Sequence, residues 1–180
     1  MHGSSCAGLG AARWLTRYAR RRTGMLTILP ATTEQAPAIL ALQKRAFERE
    51  ARLCDNWQIP PMTETLEAVL EHIVSATVLT AWIGPQLVGA ARGILSGDVC
   101  AIRGVCIEPA HQGQRIGTTL LAAIEQAHPT ASRFELTTNT TMAGNVRFYE
   151  RHGYRITELK PFSDKIILAC MSKAAAGEGA

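Results

Sequence analysis

No stretch of this 180-residue chain approaches the roughly 18 consecutive apolar residues of a membrane-crossing helix, so no membrane partner is expected. Cysteines are few: Cys6, Cys54, Cys100, Cys106 and Cys170. Their number is odd and no two stand at C-x-x-C spacing, so neither a disulfide framework nor a zinc site is expected. Such usage suits a reducing compartment, and the expected location is cytoplasmic. No apolar run followed by a small-residue cleavage site marks a secretory leader. Two phosphate-binding signatures are missing as well. There is no G-x-x-x-x-G-K-[ST], and no G-x-G-x-x-G follows a strand, which argues against a P-loop kinase and a dinucleotide fold.

A basic excess is also missing where it would matter. The net charge of +4 comes from the first 24 residues, where Arg13, Arg17, Arg20, Arg21 and Arg22 meet no acid. The remainder holds 14 basic and 15 acidic residues, a balance of −1. The folded part therefore carries no electrostatic case for nucleic acid. Three readings fit residues 1–24: a disordered basic tail, an Arg-rich transit-like segment, or sequence upstream of a true start at Met25. Met25 opens directly into the strand-like run Leu26 to Leu29, which favours the third.

What is present suffices for one domain with a proper core over residues 25–173. Met25–Leu29 reads as a strand. Thr32 or Thr33 caps a helix through Arg52, with Ile39, Leu40, Leu42, Ala46 and Phe47 near helical spacing. Pro60-Pro61 is expected to stop any helix in the loop after Cys54. A second helix starts at Thr63 or Thr65. Thr77–Ile83 and Leu87–Leu95 form a hairpin about Gly84-Pro85. Val99–Ile107 is a strand, Gly117–Ala127 a helix, Arg133–Thr138 a strand. Asn145–His152 is a short helix closed by Gly153. Tyr154–Leu159 and Lys165–Met171 make a last hairpin, and residues 174–180 a frayed tail. The pattern is a single α/β (mixed α+β) domain with helices on both faces of one sheet.

The most informative segment is Val105-Cys-Ile-Glu-Pro-Ala-His-Gln-Gly-Gln-Arg-Ile-Gly-Thr118. It is a strand, a glycine-containing loop and a helix start. A helix N-terminus offers unpaired N–H groups and partial positive charge. Placed at the mouth of such a loop it cradles a phosphate without any charged side chain. Gln114 and Arg115 add donors at the rim.

This segment and Asn145-Val-Arg-Phe-Tyr-Glu-Arg-His-Gly-Tyr154 together resemble the GNAT acetyltransferases. That family carries Q/R-x-x-G-x-G/A in its acyl-CoA loop and, about 30 residues later, a Tyr on a short helix followed by Gly and an aromatic. Here the loop is Gln112, Gly113, Gln114, Arg115, Ile116 and Gly117, and Arg115 stands where the family has its middle glycine. The resemblance implies a mixed, mostly antiparallel sheet of six to seven strands, splayed between strands 99–107 and 133–138. Acetyl-CoA is the implied acyl donor, and no metal is implied. Its pantetheine arm would lie in the splay against Val105, Cys106 and Ile107, and its pyrophosphate on the N–H groups of Gln112 to Thr118. Tyr149 would protonate the leaving thiolate, or else merely pack its ring. Asn145, on the same helix face, would meet the pantetheine amides, cap the helix, or both.

The reaction implied is direct attack by a neutral amine in a ternary complex, with a backbone N–H of Val105 or Cys106 at the oxyanion. The base is not legible. Arg103 and Gly104 occupy the fourth-strand positions where many relatives have Glu, leaving Glu50, Asp55, Asp98, Glu135, His111 or water. Cys106 as a covalent acetyl carrier has no paired His, and a small buried apolar residue is the plainer reading. His152 is expected to complement the dipole at its helix C-terminus. Residues 44–66 would form the acceptor side, with Phe47, Glu50, Asp55 and Trp57 as contacts; Glu50 and Asp55 would be an acidic pair for a cationic amine, or else part of a solvated helix face. The expected substrate is a small-molecule primary amine. The alternatives are a protein or peptide amine, or a non-catalytic acyl-CoA sensor. A homodimer is the family expectation.

Overall fold

The computed structural model describes residues 24–175. The basic leader therefore lies outside the described residues apart from Gly24, and so does the tail beyond Ala175. Seven strands form one sheet: β1 (Leu26–Pro30), β2 (Thr77–Ile83), β3 (Gln86–Ser96), β4 (Val99–Ile107), β5 (Arg133–Asn139), β6 (Arg155–Ser163) and β7 (Ile166–Ala174). Their spatial order is β1-β2-β3-β4-β5-β7-β6. All neighbouring pairs are antiparallel except β4 and β5.

Helices cover both faces, as the alternation of apolar residues requires. On one face lie α1 (Ala36–Cys54), the single turn α2 (Pro60–Thr63) and α3 (Leu66–Ser75). Ile39 and Leu42 of α1 and Val69 of α3 pack there on Val78, Ala90 and Cys106. On the other lie α4 (Ile116–Ala127) and α5 (Ala143–Arg151). Ile116, Leu120, Leu121 and Ile124 of α4 bury against Leu79, Ala81, Ala91 and Ile102. The same face brings β3 and α4 very close. A Cβ added at Gly93 would stand 2.5 Å from His128 Cε1 and 3.0 Å from Ile124 Cγ2. Gly93→Ala is therefore expected to cost about 1–3 kcal/mol, the usual penalty of overpacking, read as a lowered melting temperature.

Several boundaries differ from the sequence expectation. Pro60 and Pro61 begin a helix turn rather than stop one, since they occupy its first positions, where the missing N–H costs nothing. Thr65, not Thr63, caps α3, its hydroxyl accepting from Ala68 N at 3.3 Å. α5 begins at Ala143 instead of Asn145. β6 runs on through Pro161 and Phe162, and Asp164 and Lys165 make the turn. β7 includes Ala174, which pairs with Arg133, and Ala175 N donates to Ser132 O at 2.9 Å.

The β4–β5 seam is short. Only Val99, Cys100 and Ala101 pair with Arg133, Phe134 and Glu135. Beyond Ala101 the two strands part, so β4 keeps β3 on one side and loses β5 on the other. The half-sheets are clamped on each face instead. Above, Ala51 and Cys54 at the end of α1 pack with Ile166 of β7. Below, Glu125 of α4 accepts from Tyr154 Oη at 2.8 Å and from Lys173 Nζ at 2.7 Å.

Candidate active site

β4 carries a bulge where the splay opens. Arg92 pairs with Arg103 and Ala90 with Cys106, leaving Gly104 and Val105 to oppose Ala91 alone. Gly104 takes φ +59°, and a Cβ there would meet Gln43 Oε1 at 3.4 Å. The extra residue resets the alternation. Ile102, Val105 and Ile107 all face α4, and Cys106 turns to the α1 side. Cys106 is buried there among Ile39, Leu42 and Val69, and burial pushes its thiol up to about 12. That supports the small-residue reading and leaves the covalent acetyl-Cys route without a thiolate.

The loop from Gln112 to Arg115 has the expected form between strand and helix, with one difference. Gly113 is at φ +78°, but Arg115 itself adopts the left-handed conformation, φ 63° and ψ 9°, at the N-cap of α4. A side chain thus sits in the backbone region that glycine fills at no steric cost. Arg115→Gly is expected to raise the stability of the ligand-free protein by about 1 kcal/mol or less, checked by thermal melts. Thr119 N bonds back to Arg115 O at 3.1 Å, so the N–H groups of Ile116, Gly117 and Thr118 precede the helical ladder and point out of its end. Gln112 Nε2 donates to Ile107 O at 3.4 Å and ties the loop to the end of β4.

Across the splay stands α5. Tyr149 is half-buried, its ring edge-on to Phe148 at 5.1 Å and to Tyr154 at 5.9 Å. Burial raises its phenol above the ordinary value, and the carboxylate of Glu50 raises it further. The group stays protonated and available as a donor. Its transfer to a thiolate is more uphill than free phenol would suggest. Met142 holds the N-cap position and Asn145 is the third residue of α5, so the capping role for Asn145 fails. Asn145 remains half-buried on the helix that carries Tyr149.

Glu50 comes in from α1. Its Oε1 accepts from Asn139 Nδ2 at 3.2 Å. Burial raises its carboxyl, and the Asn139 hydrogen bond partly offsets this. Asn139 lies at the end of β5, 2% exposed, and its Oδ1 also accepts from Thr141 N at 3.0 Å. Asn139 thus ties Glu50 of α1 to the end of β5, and the charge of Glu50 acts on the Tyr149 phenol of α5. Asn139 was not visible as a site residue in the sequence, since nothing but its place at a strand end marks it.

The other sequence candidates scatter. Asp55 caps α1 at φ 49° and pairs with Lys165 at 3.2 Å, its side chain 80% exposed, so it does not join Glu50 as an acidic pair. Trp57 is exposed beyond it. Phe47 packs between the two clusters under α1. Asp98 sits in the β3–β4 turn, bound by Ser132 at 2.6 Å, which lowers its carboxyl. Glu135 pairs with Arg133 at 2.8 Å. Arg103 reaches over the seam, donating to Ile102 O at 2.9 Å and Glu135 O at 3.4 Å. Behind the bulge is a buried polar cluster that the sequence did not announce. Glu64 accepts from Arg92 Nη1 at 2.7 Å and Gln43 Nε2 at 2.6 Å, with His72 Nε2 at 3.3 Å. It anchors α1, α2 and α3 to β3. Among the described residues no helix is long and apolar enough to cross a membrane.

The sheet opens beside the N-terminus of α4, with the helix that carries Tyr149 across the gap. The Acetyltransferase (GNAT) family profile matches residues 36–154, and the chain belongs to that family. It is an acetyl-CoA-dependent acyltransferase. The uncharacterized N-acetyltransferase YjcF of Bacillus subtilis is 27% identical over 142 residues, covering 78% of this chain and 92% of that protein. Among solved structures, the fold matches the ribosomal-protein-S18-alanine N-acetyltransferase of Escherichia coli with a TM-score of 0.70 at 17% identity, over 87% of this chain and 99% of that one. It matches yncA of Salmonella typhimurium, a putative acetyltransferase solved with acetyl-CoA, with a TM-score of 0.68 at 18% identity, over 87% and 97% of the two chains.

Proposed function

We propose that this enzyme acetylates the primary amine of a small molecule by direct attack in a ternary complex, with Tyr149 as general acid and Glu50 as the group that receives the amine. The observation that carries this reading is the hydrogen bond from Asn139 to Glu50 beyond the last β4–β5 pair, with the charge of Glu50 acting on the Tyr149 phenol. A half-buried carboxylate attracts an ammonium, and burial, by raising its proton affinity, makes it a better proton acceptor than an exposed carboxylate. The freed amine attacks the thioester carbonyl of acetyl-CoA. A backbone N–H of Val105 or Cys106 donates to the oxyanion as the N–C bond forms. The C–S bond then breaks, and Tyr149 donates to the departing sulfur. The proton shed by the nitrogen restores the phenol and Glu50 releases to solvent the proton it took, so ammonium and thioester become amide, free CoA thiol and one proton.

Acetyl-CoA is held by the N–H groups from Gln112 to Thr118, with Gln114 and Arg115 at the rim, and by Val105–Ile107 and Asn145 along the pantetheine. Phe47 and Trp57 border the acceptor side, and the family expectation of a homodimer stands with this reading. The balance of −1 over residues 25–180 gives no reason to favour a strongly charged macromolecular acceptor. Thiol release from acetyl-CoA across amines, polyamines, amino acids and peptides tests the reading. Release with small amines and not with peptides supports it. Release with peptides alone would replace the acceptor class, and CoA binding with no release across the panel would favour a sensor.

A further inference from the structure

We propose that His152 is a positioning residue, fixing the distance between the phosphate-binding end of α4 and the helix that carries Tyr149. The proposal rests on the donor-site reading above. His152 Nδ1 lies 2.7 Å from Phe148 O, and Nε2 lies 3.1 Å from Thr118 Oγ1. A carbonyl oxygen only accepts, so Nδ1 carries the proton. Nε2 then accepts from the Thr118 hydroxyl. Both ring nitrogens are used, one within α5 and one across the splay.

The surroundings make this bond a spacer rather than an incidental contact. At this depth no strand ladder joins the half-sheets, because β4–β5 pairing ends at Ala101 and Glu135. The His152 ring lies 4.4 Å from the Phe148 ring, which in turn meets Tyr149 at 5.1 Å. A Cβ at Gly117 would stand 3.4 Å from Phe148 Cζ. Gly117 and Thr118 thus form one wall, and Phe148, Tyr149 and His152 the other. Thr118 contributes its hydroxyl to His152, which leaves its backbone N–H at the helix end free to meet a phosphate. A residue present only to complement the dipole of α5 would need no partner on α4.

Calorimetric titration with CoA tests this on the wild type, His152→Ala, Thr118→Val, the double variant and His152→Gln. Valine keeps the shape and backbone N–H of Thr118 and removes only the hydroxyl. Each single loss is expected to weaken CoA binding about five- to tenfold, the worth of one net hydrogen bond in the bound geometry. The double variant is expected to be no more than about twofold worse than the poorer single, because both changes break one interaction. Gln offers a donor and an acceptor and is expected to recover part of the loss. Additive effects, or CoA affinity unchanged in the single variants, would overturn the positioning role and leave the donor site standing. A wild type that does not bind CoA would overturn both.

Discussion

Tyr149→Phe is expected to lower turnover about 100-fold or more, since a positioned proton donor contributes roughly 100- to 10,000-fold. CoA affinity is expected to stay within about twofold, because the ring contacts on Phe148 and Tyr154 survive and one hydroxyl is lost. The separation of the two effects is the diagnostic. A tyrosine that only filled space would be replaced by phenylalanine with little change in rate. Thiol-release kinetics with an accepted amine, beside CoA titration, measure both quantities. Turnover within about threefold of wild type would remove Tyr149 from the chemistry and leave its hydroxyl a bystander.

Glu50→Gln is expected to cost about 100-fold in kcat/KM, at the lower end of what general-base catalysis supplies. It is also expected to abolish the carboxylate's contribution to the acid limb of the pH profile. With Glu50 as the proton acceptor the active form is the carboxylate, so activity is expected above the raised pKa and is expected to fall as pH drops through it. The stability effect has the opposite sign. A carboxyl whose folded pKa is raised favours its protonated form in the fold, so its ionisation weakens the protein at neutral pH and ceases to do so in acid. Glu50→Gln is therefore expected to melt slightly higher than wild type at pH 7 and equally at low pH. An inactive variant that is also less stable at pH 7 would contradict this, pointing to a structural carboxylate held by Asn139.

The strands and helices were legible because their apolar residues repeat at periods of two and 3.6. Val99–Ile107 matches to the residue. The strand–loop–helix form of residues 105–118 was legible because glycine, a strand end and a helix start follow one another in the chain. The errors have local causes. Pro60-Pro61 reads as a stop in the sequence, yet proline is as well suited to begin a helix as to interrupt one. Asn145 was offered a capping role because Asn favours caps, but packing starts α5 two residues earlier. What escaped altogether is long-range and polar. Asn139 and Glu50 are 89 residues apart, His152 and Thr118 are 34, and Glu64 gathers partners from α1, α3 and β3. The first two of these pairs span the gap beyond the β4–β5 seam, and no periodicity encodes any of the three. The bulge at Gly104 was equally silent, though it decides that Cys106 faces the α1 side.

The three-pair seam between β4 and β5 has a consequence for how the molecule opens. Sub-global unfolding follows the weakest boundary between cooperative units, and here that boundary divides β1–β4 with their helices from α5 and β5–β7. Amide protons bordering the parting strands should exchange with solvent faster than those at the centre of β2 and β3. A thioester bridging the gap belongs to both units at once. Its binding free energy then adds directly to their cohesion, by about 2.7 kcal/mol at a hundredfold excess over Kd. The donor substrate would act as an eighth strand that comes and goes with each catalytic cycle.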